Sequence, residues 1–385
     1  MKIFYITRTY PDINSGGGGL IRKGTIDYLR KNGYDVWIVS PNYGNNNVET
    51  DNERKHILLP ENRNFKLCAF LETVGFWDDY MTGWANYAFK YLKQIVHKQD
   101  LLFATSGGEL GSIILAKKLK EELGCKFIIN LHDPISFTTV NGSVTRYIKT
   151  RLKHVVRDKA EWSYMSMADA IITSSNAYKN SLKKKYPTVS SRIYCHHFGY
   201  IEQYQISSKK VSEPIKIVYG GAMGTSQSPE ILAEATKDID NVKILYVGDW
   251  HSNPYLIKYK ESERVELLDP MPNKEYINFL LNNADVGFVP LHGQLAELCI
   301  PSKLYEFINL GIPILGILGG DGKDIIVTNN YGIVADYDII SLRKAIIKIT
   351  NQDNLLAYKS NVIRDREMWS MEYQIKDVLD VINEL

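Results

Sequence analysis

The residues best suited to chemistry lie in the stretch CIPSKLYEFINLGIPILG, residues 299–316. Apolar runs flank it, and Pro301-Ser302 predicts the start of a helix between two strands. Ser302 and Lys303 would then lie where free helix N–H groups, a hydroxyl and a cation can together bind a diphosphate. Glu306, one turn further on, can accept hydrogen bonds from two ribose hydroxyls, or it can simply complement the helix dipole.

A second candidate is the glycine run Gly16–Gly19, about eight residues after the first apolar run. Glycines let a backbone approach a ligand, and a helix that begins near Leu20 would direct its N–H groups into this loop. A dinucleotide fingerprint needs G-x-G-x-x-G directly after the strand, and here the third residue after Gly19 is Arg22. A flexible surface loop is the alternative.

Short apolar runs alternate with amphipathic stretches along the chain and would position these residues. In the first half the runs are KIFYIT (2–7), DVWIVS (35–40), LLFATS (101–106), KFIINL (126–131) and AIITSS (170–175). In the second half they are IKIVYG (215–220), VKILYVG (242–248), RVELL (264–268), DVGFVP (285–290) and IPILGI (312–317). Continuous apolar strands separated by helices predict α/β domains with parallel sheets covered on both faces.

The alternation is interrupted at 201–213, a polar stretch that predicts an interdomain linker. We therefore expect domains at 1–200 and 214–365, and 385 residues suffice for two cores. Residues 366–385 carry apolar side chains at helical spacing and predict a C-terminal helix.

Two helix boundaries follow from single residues. Ser228-Pro229 predicts a helix start, with a serine cap and a proline in the first turn. Gly311 predicts the end of the helix that begins at Pro301-Ser302.

Composition excludes several classes of protein. A chain that is 44% hydrophobic and 23% charged is neither disordered nor fibrous, and a net charge of +2 does not indicate nucleic acid as a partner. The 4 cysteines lack C-x-x-C spacing and predict buried thiols in a reducing compartment. The N-terminal apolar run is too short for a signal-peptide core, and no run is long enough to span a membrane. We therefore expect a cytoplasmic protein.

Several motifs in this order resemble the retaining GT-B glycosyltransferases of family four, which are typical of bacterial surface-polysaccharide and lipid-linked glycan assembly. The matching stretches are the glycine run, NLHDP (130–134), ADAIITSSNAYKNSL (168–182), IVYGGAMG (217–224), NADVGFVPL (283–291) and EFINLGIPIL (306–315).

The resemblance implies two Rossmann-like domains that face a central cleft, with the C-terminal helix crossing back to the first domain. The first domain would bind the acceptor and the second the nucleotide-sugar. The donor-binding residues it implies are Gly17, Gly18, Gly19, Gly221, Ser302, Lys303 and Glu306. It also implies that His132 contacts the transferring sugar, although a structural histidine is the alternative. Asp133 would orient His132, or would cap the turn before Pro134.

The sequence departs from the family pattern at the diphosphate. Family members usually carry an Arg and a Lys after the first strand of the second domain, where this chain has Ala222 and Gln227. A subset of polysaccharide transferases lacks that pair, and Lys303 would then supply the cation. The first of the family's two Glu residues falls on Leu298, with Glu297 one place early.

The resemblance implies a metal-independent retaining transferase, with a UDP-sugar as donor, a glycan or lipid-linked glycan as acceptor, and no cofactor. No D-x-D stretch is placed to hold a metal. Two other functions stay open: a sugar-nucleotide 2-epimerase with the same fold, and a non-catalytic partner protein.

A basic stretch at 144–159 bears on the membrane. Its basic residues are Arg146, Lys149, Arg151, Lys153, Arg157 and Lys159, over an apolar stripe of Val144, Ile148, Leu152 and Val155. Such a helix either lies on an anionic membrane at the inner face, as a lipid-linked acceptor favours, or packs on the first domain with a solvated basic face.

Overall fold

The computed structural model describes residues 1–10, 17–43, 47–61, 65–135, 159–206 and 209–385. The chain divides into two compact units. The first consists of Met1–His197 with Ile375–Leu385, and the second of Phe198–Gln374. Each has a sheet of mostly parallel strands with helices between them, which confirms the predicted α/β fold class with two parallel-sheet domains.

The first unit has an eight-stranded sheet in the order β3-β4-β2-β1-β5-β6-β7-β8. Its strands are β1 (Lys2–Ile6), β2 (Asp35–Asn42), β3 (Glu49–Asp51), β4 (His56–Pro60), β5 (Leu101–Ser106), β6 (Lys126–Leu131), β7 (Ala170–Thr173) and β8 (Ile193–Cys195). Its α-helices include Gly17–Lys31, Phe65–Thr73, Thr82–Leu92, Gly111–Leu123, Asn176–Lys185 and Lys376–Asn383.

The second unit has a six-stranded sheet in the order β11-β10-β9-β12-β13-β14, and every pair in it is parallel. Its strands are β9 (Ile215–Gly220), β10 (Val242–Val247), β11 (Val265–Leu268), β12 (Val286–Pro290), β13 (Ile314–Ile317) and β14 (Gly332–Val334). Its α-helices are Ile231–Ala235, Pro254–Ile257, Asn273–Asn283, Gln294–Leu298, Ser302–Asn309, Gly320–Thr328, Ile339–Ile349, Gln352–Asp365 and Met371–Gln374.

The central strands form the core because both of their faces are covered. Every residue of β5 is buried, and so is every residue of β12. Strand order reverses beside β1 in the first sheet and beside β9 in the second. At such a switch point the connections leave in opposite directions and open a crevice at the carboxyl ends of the strands. Each sheet therefore has one place where a ligand site is favoured.

One pair in the first sheet departs from the predicted parallel arrangement. β3 pairs antiparallel with β4 at the sheet edge. Residues 52–55 join the two strands in a tight turn, in which Lys55 has φ 52°. So short a connection allows only an antiparallel pair, because a parallel pair needs a crossover of a dozen residues or more.

The C-terminal stretch predicted as one helix consists of three short pieces. They are a 3₁₀-helix at Arg366–Trp369 and α-helices at Met371–Gln374 and Lys376–Asn383. The first break is at Ser370, which is extended (φ −73°, ψ 150°) and forms a parallel bridge with Tyr200. The Tyr200 N–H donates to the Trp369 carbonyl, and the Tyr200 carbonyl accepts the Met371 N–H. Because these groups on either side of Ser370 are bonded to Tyr200, the helix cannot continue through Ser370.

Two predicted helix starts are displaced. The helix after Ser228 begins only at Ile231, because Ser228 has φ 38° and its hydroxyl donates to the Thr225 carbonyl (2.8 Å) rather than capping the helix. The first helix begins at Gly17, three residues before Leu20. The basic stretch at 144–159 lies outside the described residues except for its last position. Within the described ranges, no helix has both the length and the apolar character that a membrane span requires.

Candidate functional site

In the second unit, Lys303 lies against the glycine pair that ends β9. It is the second residue of the helix Ser302–Asn309, which we call the Lys303 helix. Gly221 has φ 121°, and a side chain there would collide with the Lys303 ammonium group. Lys303 Nζ also lies over the ring of Tyr219, 5.8 Å from its centroid. The ammonium group thus occupies space that only a glycine leaves open, at the switch point of the sheet.

Tyr276 lies against the other glycine of the pair. It belongs to the helix Asn273–Asn283, and a side chain at Gly220 would collide with its hydroxyl. That hydroxyl is buried and has no hydrogen-bond partner among the described residues. Burial raises the pKa of Tyr276 well above its usual value, and the nearby Glu306 carboxylate adds to the effect. Each glycine therefore leaves room for one polar group, the Tyr276 hydroxyl at Gly220 and the Lys303 ammonium group at Gly221.

Glu306 and Lys303 both lie where their charged forms are disfavoured. Burial raises the pKa of Glu306 to about 7, against the opposing influence of Lys303. Burial also lowers the pKa of Lys303, against the opposing influence of Glu306. Such shifts are typical of sites that bind charged or polar ligands.

The neighbouring family positions supply no further cation. Ser302 is the first residue of the Lys303 helix and is partly buried. The Gln227 side-chain oxygen accepts a hydrogen bond from the Ser226 hydroxyl (3.0 Å), and the Ala222 carbonyl accepts one from Tyr219. The Glu297 carboxylate accepts the N–H of Gly320 (3.2 Å) at the start of the helix Gly320–Thr328, so it caps that helix.

In the first unit, a buried ion pair lies at the carboxyl ends of the central strands. The Arg22 guanidinium contacts the Glu109 carboxylate at 3.2 Å, and these side chains are only 7% and 5% exposed. Arg22 also donates to the hydroxyl of Thr9 after β1. The Gly107 N–H, after β5, donates to the second Glu109 oxygen (3.1 Å). These two charges are therefore paired within the protein, although Arg22 Nε is buried without a hydrogen-bond partner among the described residues.

His132 and Asp133 follow β6 at the same edge. The His132 N–H donates to the Ser106 carbonyl (2.8 Å), and the Ser174 hydroxyl donates to the His132 carbonyl (2.8 Å). Burial lowers the pKa of the His132 imidazole well below its usual value, and the positive charges of Arg22 and His196 add to this. The imidazole is therefore neutral at physiological pH.

Asp133 and the glycines Gly17, Gly18 and Gly19 complete the predicted residues of the first unit. Asp133 is partly buried, and one of its carboxylate oxygens is 3.6 Å from where a side chain at Gly107 would begin. Gly17, Gly18 and Gly19 form the first turn of a helix rather than a loop before it. Their N–H groups are among the four that a helix leaves free at its start.

Sequence reasoning missed Glu109 and Tyr276. Glu109 follows a buried strand within the stretch SGGE, and a carboxylate after two glycines at a strand end is a usable signal. Tyr276 lies inside a helix with no local motif around it. Its proximity to Gly220 arises only from the packing of that helix beside β9.

Part of the chain matches the model of a known protein family, and the chain as a whole is similar in fold to several solved structures. The model of Glycosyltransferase Family 4 matches residues 16–199, as the sequence resemblance predicts. No curated protein matches the chain.

Three similar solved structures cover almost all of this chain and of their own. WaaG, a glycosyltransferase involved in lipopolysaccharide biosynthesis, has TM-score 0.66 and 14% identity, covering 99% of each chain. A structure described as trehalose-6-phosphate from E. coli bound with UDP-2-fluoro glucose has TM-score 0.71 and 9% identity, covering 99% of each chain. An alpha,alpha-trehalose-phosphate synthase (UDP-forming) from Burkholderia vietnamiensis has TM-score 0.69 and 10% identity, covering 100% of each chain. At such identities the likeness establishes the fold alone.

Proposed function

We propose that this chain, a GT-B glycosyltransferase whose residues 16–199 belong to Glycosyltransferase Family 4, transfers a sugar from a UDP-sugar to a glycan or lipid-linked glycan with retention of configuration. The observation that carries the proposal is the pairing of Lys303 with Gly221 at the switch point of the second sheet, one helical turn from Glu306. A cation, a helix N-terminus and a carboxylate at this spacing fit a nucleoside diphosphate.

Lys303 and the start of its helix would bind the diphosphate. Burial lowers the pKa of Lys303, and a bound dianion would raise it again, because a nearby opposite charge favours the ammonium form. Glu306 would accept hydrogen bonds from the ribose hydroxyls. The chain contributes Lys303 where family members usually contribute an Arg and a Lys.

The transfer step needs no nucleophile from the protein. The bond between the anomeric carbon and the diphosphate oxygen breaks, and the acceptor oxygen bonds to the same face of that carbon. The leaving phosphate oxygen takes the acceptor proton. Negative charge then develops on the diphosphate, where Lys303 would stabilise it.

His132 would contact the transferring sugar, as the resemblance implies. Its imidazole is neutral, so it can donate or accept a hydrogen bond without placing a second positive charge near an oxocarbenium-like centre. Asp133 would hold the imidazole in position. For the glycines Gly17, Gly18 and Gly19 we propose donor contacts through their N–H groups.

The donor and acceptor classes draw support from the similar folds. One of those proteins is bound with UDP-2-fluoro glucose, one is UDP-forming, and WaaG is involved in lipopolysaccharide biosynthesis. We propose the same donor nucleotide here, a cytoplasmic location, and a peripheral contact of residues 144–159 with anionic lipid. Cosedimentation with anionic vesicles that weakens as salt rises would support that contact.

A nucleotide-sugar panel tests the proposal. A ligand at 100 times its Kd stabilises a protein by about 2.7 kcal/mol, so a UDP-sugar should raise the melting temperature. Free UDP should then appear only when an acceptor is added, and a chelator should not change its rate. UDP release without an acceptor would instead support an epimerase, and an absence of turnover with every acceptor tried would support a non-catalytic protein.

A further inference from the structure

We propose that the Tyr276 hydroxyl binds the nucleotide-sugar beside Glu306, donating a hydrogen bond to a ribose oxygen and thereby positioning the donor. This inference rests on the proposed function and assigns to the same site a residue that no sequence motif identifies. Tyr276 is a positioning residue in this account, because it would touch the nucleotide rather than the reacting carbon.

The first reason is that the hydroxyl has no partner. Its oxygen is buried and forms no hydrogen bond with any described residue. A buried hydroxyl without a partner destabilises a folded protein, because it has lost its bonds to water. A bound ligand that supplies an acceptor would remove that cost.

The second reason is where the hydroxyl lies. It is packed against Gly220, and the next residue, Gly221, is packed against the Lys303 ammonium group. Glu306 is near enough to raise the pKa of Tyr276 further. The hydroxyl therefore lies within the same group as the two charged residues assigned to the donor. Because Glu306 accepts hydrogen bonds, its ribose partners keep lone pairs that a phenol beside it can bind.

Tyr246 shows what a structural tyrosine looks like in the same unit. It is fully buried, and its hydroxyl donates to the Pro229 carbonyl (2.9 Å) and accepts the N–H of Ala233 (3.2 Å). Every hydrogen-bonding group at that position is satisfied without a ligand. Both tyrosines have a buried hydroxyl oxygen, and the protein itself bonds the hydroxyl of Tyr246 but not that of Tyr276.

The test compares Tyr276→Phe with Tyr246→Phe. Melting temperatures are measured without ligand, and affinities for UDP, UDP-glucose, ADP-glucose and GDP-mannose are measured by calorimetry. Tyr276→Phe should raise the melting temperature. It should also lower the affinity for the nucleotide that the wild type binds by about threefold to tenfold. Tyr246→Phe should lower the melting temperature and leave that affinity unchanged.

Each other outcome is decisive. If Tyr276→Phe binds the nucleotide as tightly as the wild type, the inference is overturned while the proposed function stands. If Tyr276→Phe lowers the melting temperature as Tyr246→Phe does, the hydroxyl is structural and the inference is again overturned. If the wild type binds none of the four nucleotides, the proposed function fails and takes this inference with it.

Discussion

The carboxyl ends of the two sheets use their charged residues differently. In the first unit, Arg22 is paired with Glu109 at 3.2 Å, and both are further hydrogen-bonded to the protein. In the second unit, the side chains of Lys303 and Glu306 form neither a hydrogen bond nor an ion pair with any described residue. At the first edge the two charges are thus paired with each other, whereas at the second edge Lys303 and Glu306 keep bonding capacity that a ligand can use.

The largest effect should come from breaking the satisfied pair. Glu109→Ala leaves the Arg22 charge buried without its partner, which typically costs about 3–5 kcal/mol in the free energy of unfolding. The melting temperature of the first unit should fall accordingly. Glu121→Ala, which removes a surface ion pair with Lys117, is the control and should change little. Equal melting temperatures for the two variants would mean that the ion pair between Arg22 and Glu109 does not stabilise the fold.

Removing Lys303 should have the next largest effect, and on rate rather than stability. Loss of a group that stabilises charge on the leaving diphosphate lowers turnover by a factor of about 10² to 10³. Lys303→Arg should retain more activity than Lys303→Ala, and the ligand-free melting temperature should not fall, because burial already disfavours this charge. The exposed Lys323→Ala is a matched control. If Lys303→Ala turns over as fast as the control, the diphosphate is neutralised elsewhere.

His132→Ala should lower turnover by a factor on the order of 10², as expected for a positioned polar group. The chain should still fold, because the backbone hydrogen bonds of His132 to Ser106 and Ser174 do not depend on its side chain. Initial rates and circular dichroism at matched concentrations check both expectations. His251→Ala is a control, since that side chain is 64% exposed. A variant with full activity per folded molecule would assign the histidine a structural role.

Glu306→Gln should weaken donor binding by about tenfold, because it removes a charged acceptor of ribose hydroxyls. The same residue predicts a pH dependence. Its pKa is about 7 in the free protein, so wild-type affinity should fall as pH drops below 7 and the carboxylate is protonated. Glu306→Gln should lose that dependence. Calorimetry between pH 5.5 and pH 8 measures both, and a wild type with constant affinity across this range would contradict the assignment.

The stability of the ligand-free protein should decrease as pH rises, whereas the affinity for the donor should increase. The folded protein holds the Glu306 proton more tightly than the unfolded chain, since the pKa rises from an ordinary 4.5 to about 7. The stability that this proton contributes is therefore present below about pH 4.5 and is lost as pH rises toward 7. Glu306→Gln should raise the melting temperature by a few degrees at pH 8 and change it little at pH 4.5.

Part of the fold was predictable from local pattern because burial of both strand faces leaves an uninterrupted apolar run. Three of the predicted runs, including LLFATS and IKIVYG, coincide with β5, β6 and β9. The short edge strands β3, β8 and β14 were not predicted, because a strand with few neighbours does not need a continuous apolar sequence. Strand β4, which lies between β3 and β2, was not predicted either. The C-terminal stripe predicted one helix, and the bridge between Tyr200 and Ser370 divides it.

The sequence by itself determined the α/β class, the Lys303 helix and the choice of Lys303 and Glu306 as ligand-binding candidates, because each depends on residues close together along the chain. Only the tertiary structure decided which polar groups at the sheet edges have a hydrogen-bond or ion-pair partner within the protein. Arg22 and Glu109 are far apart in sequence, and so are Gly220 and Tyr276, and their contacts exist only once helices are packed against sheets. Hydrogen bonding between such groups has no local signature, since it depends on distances that the whole fold sets.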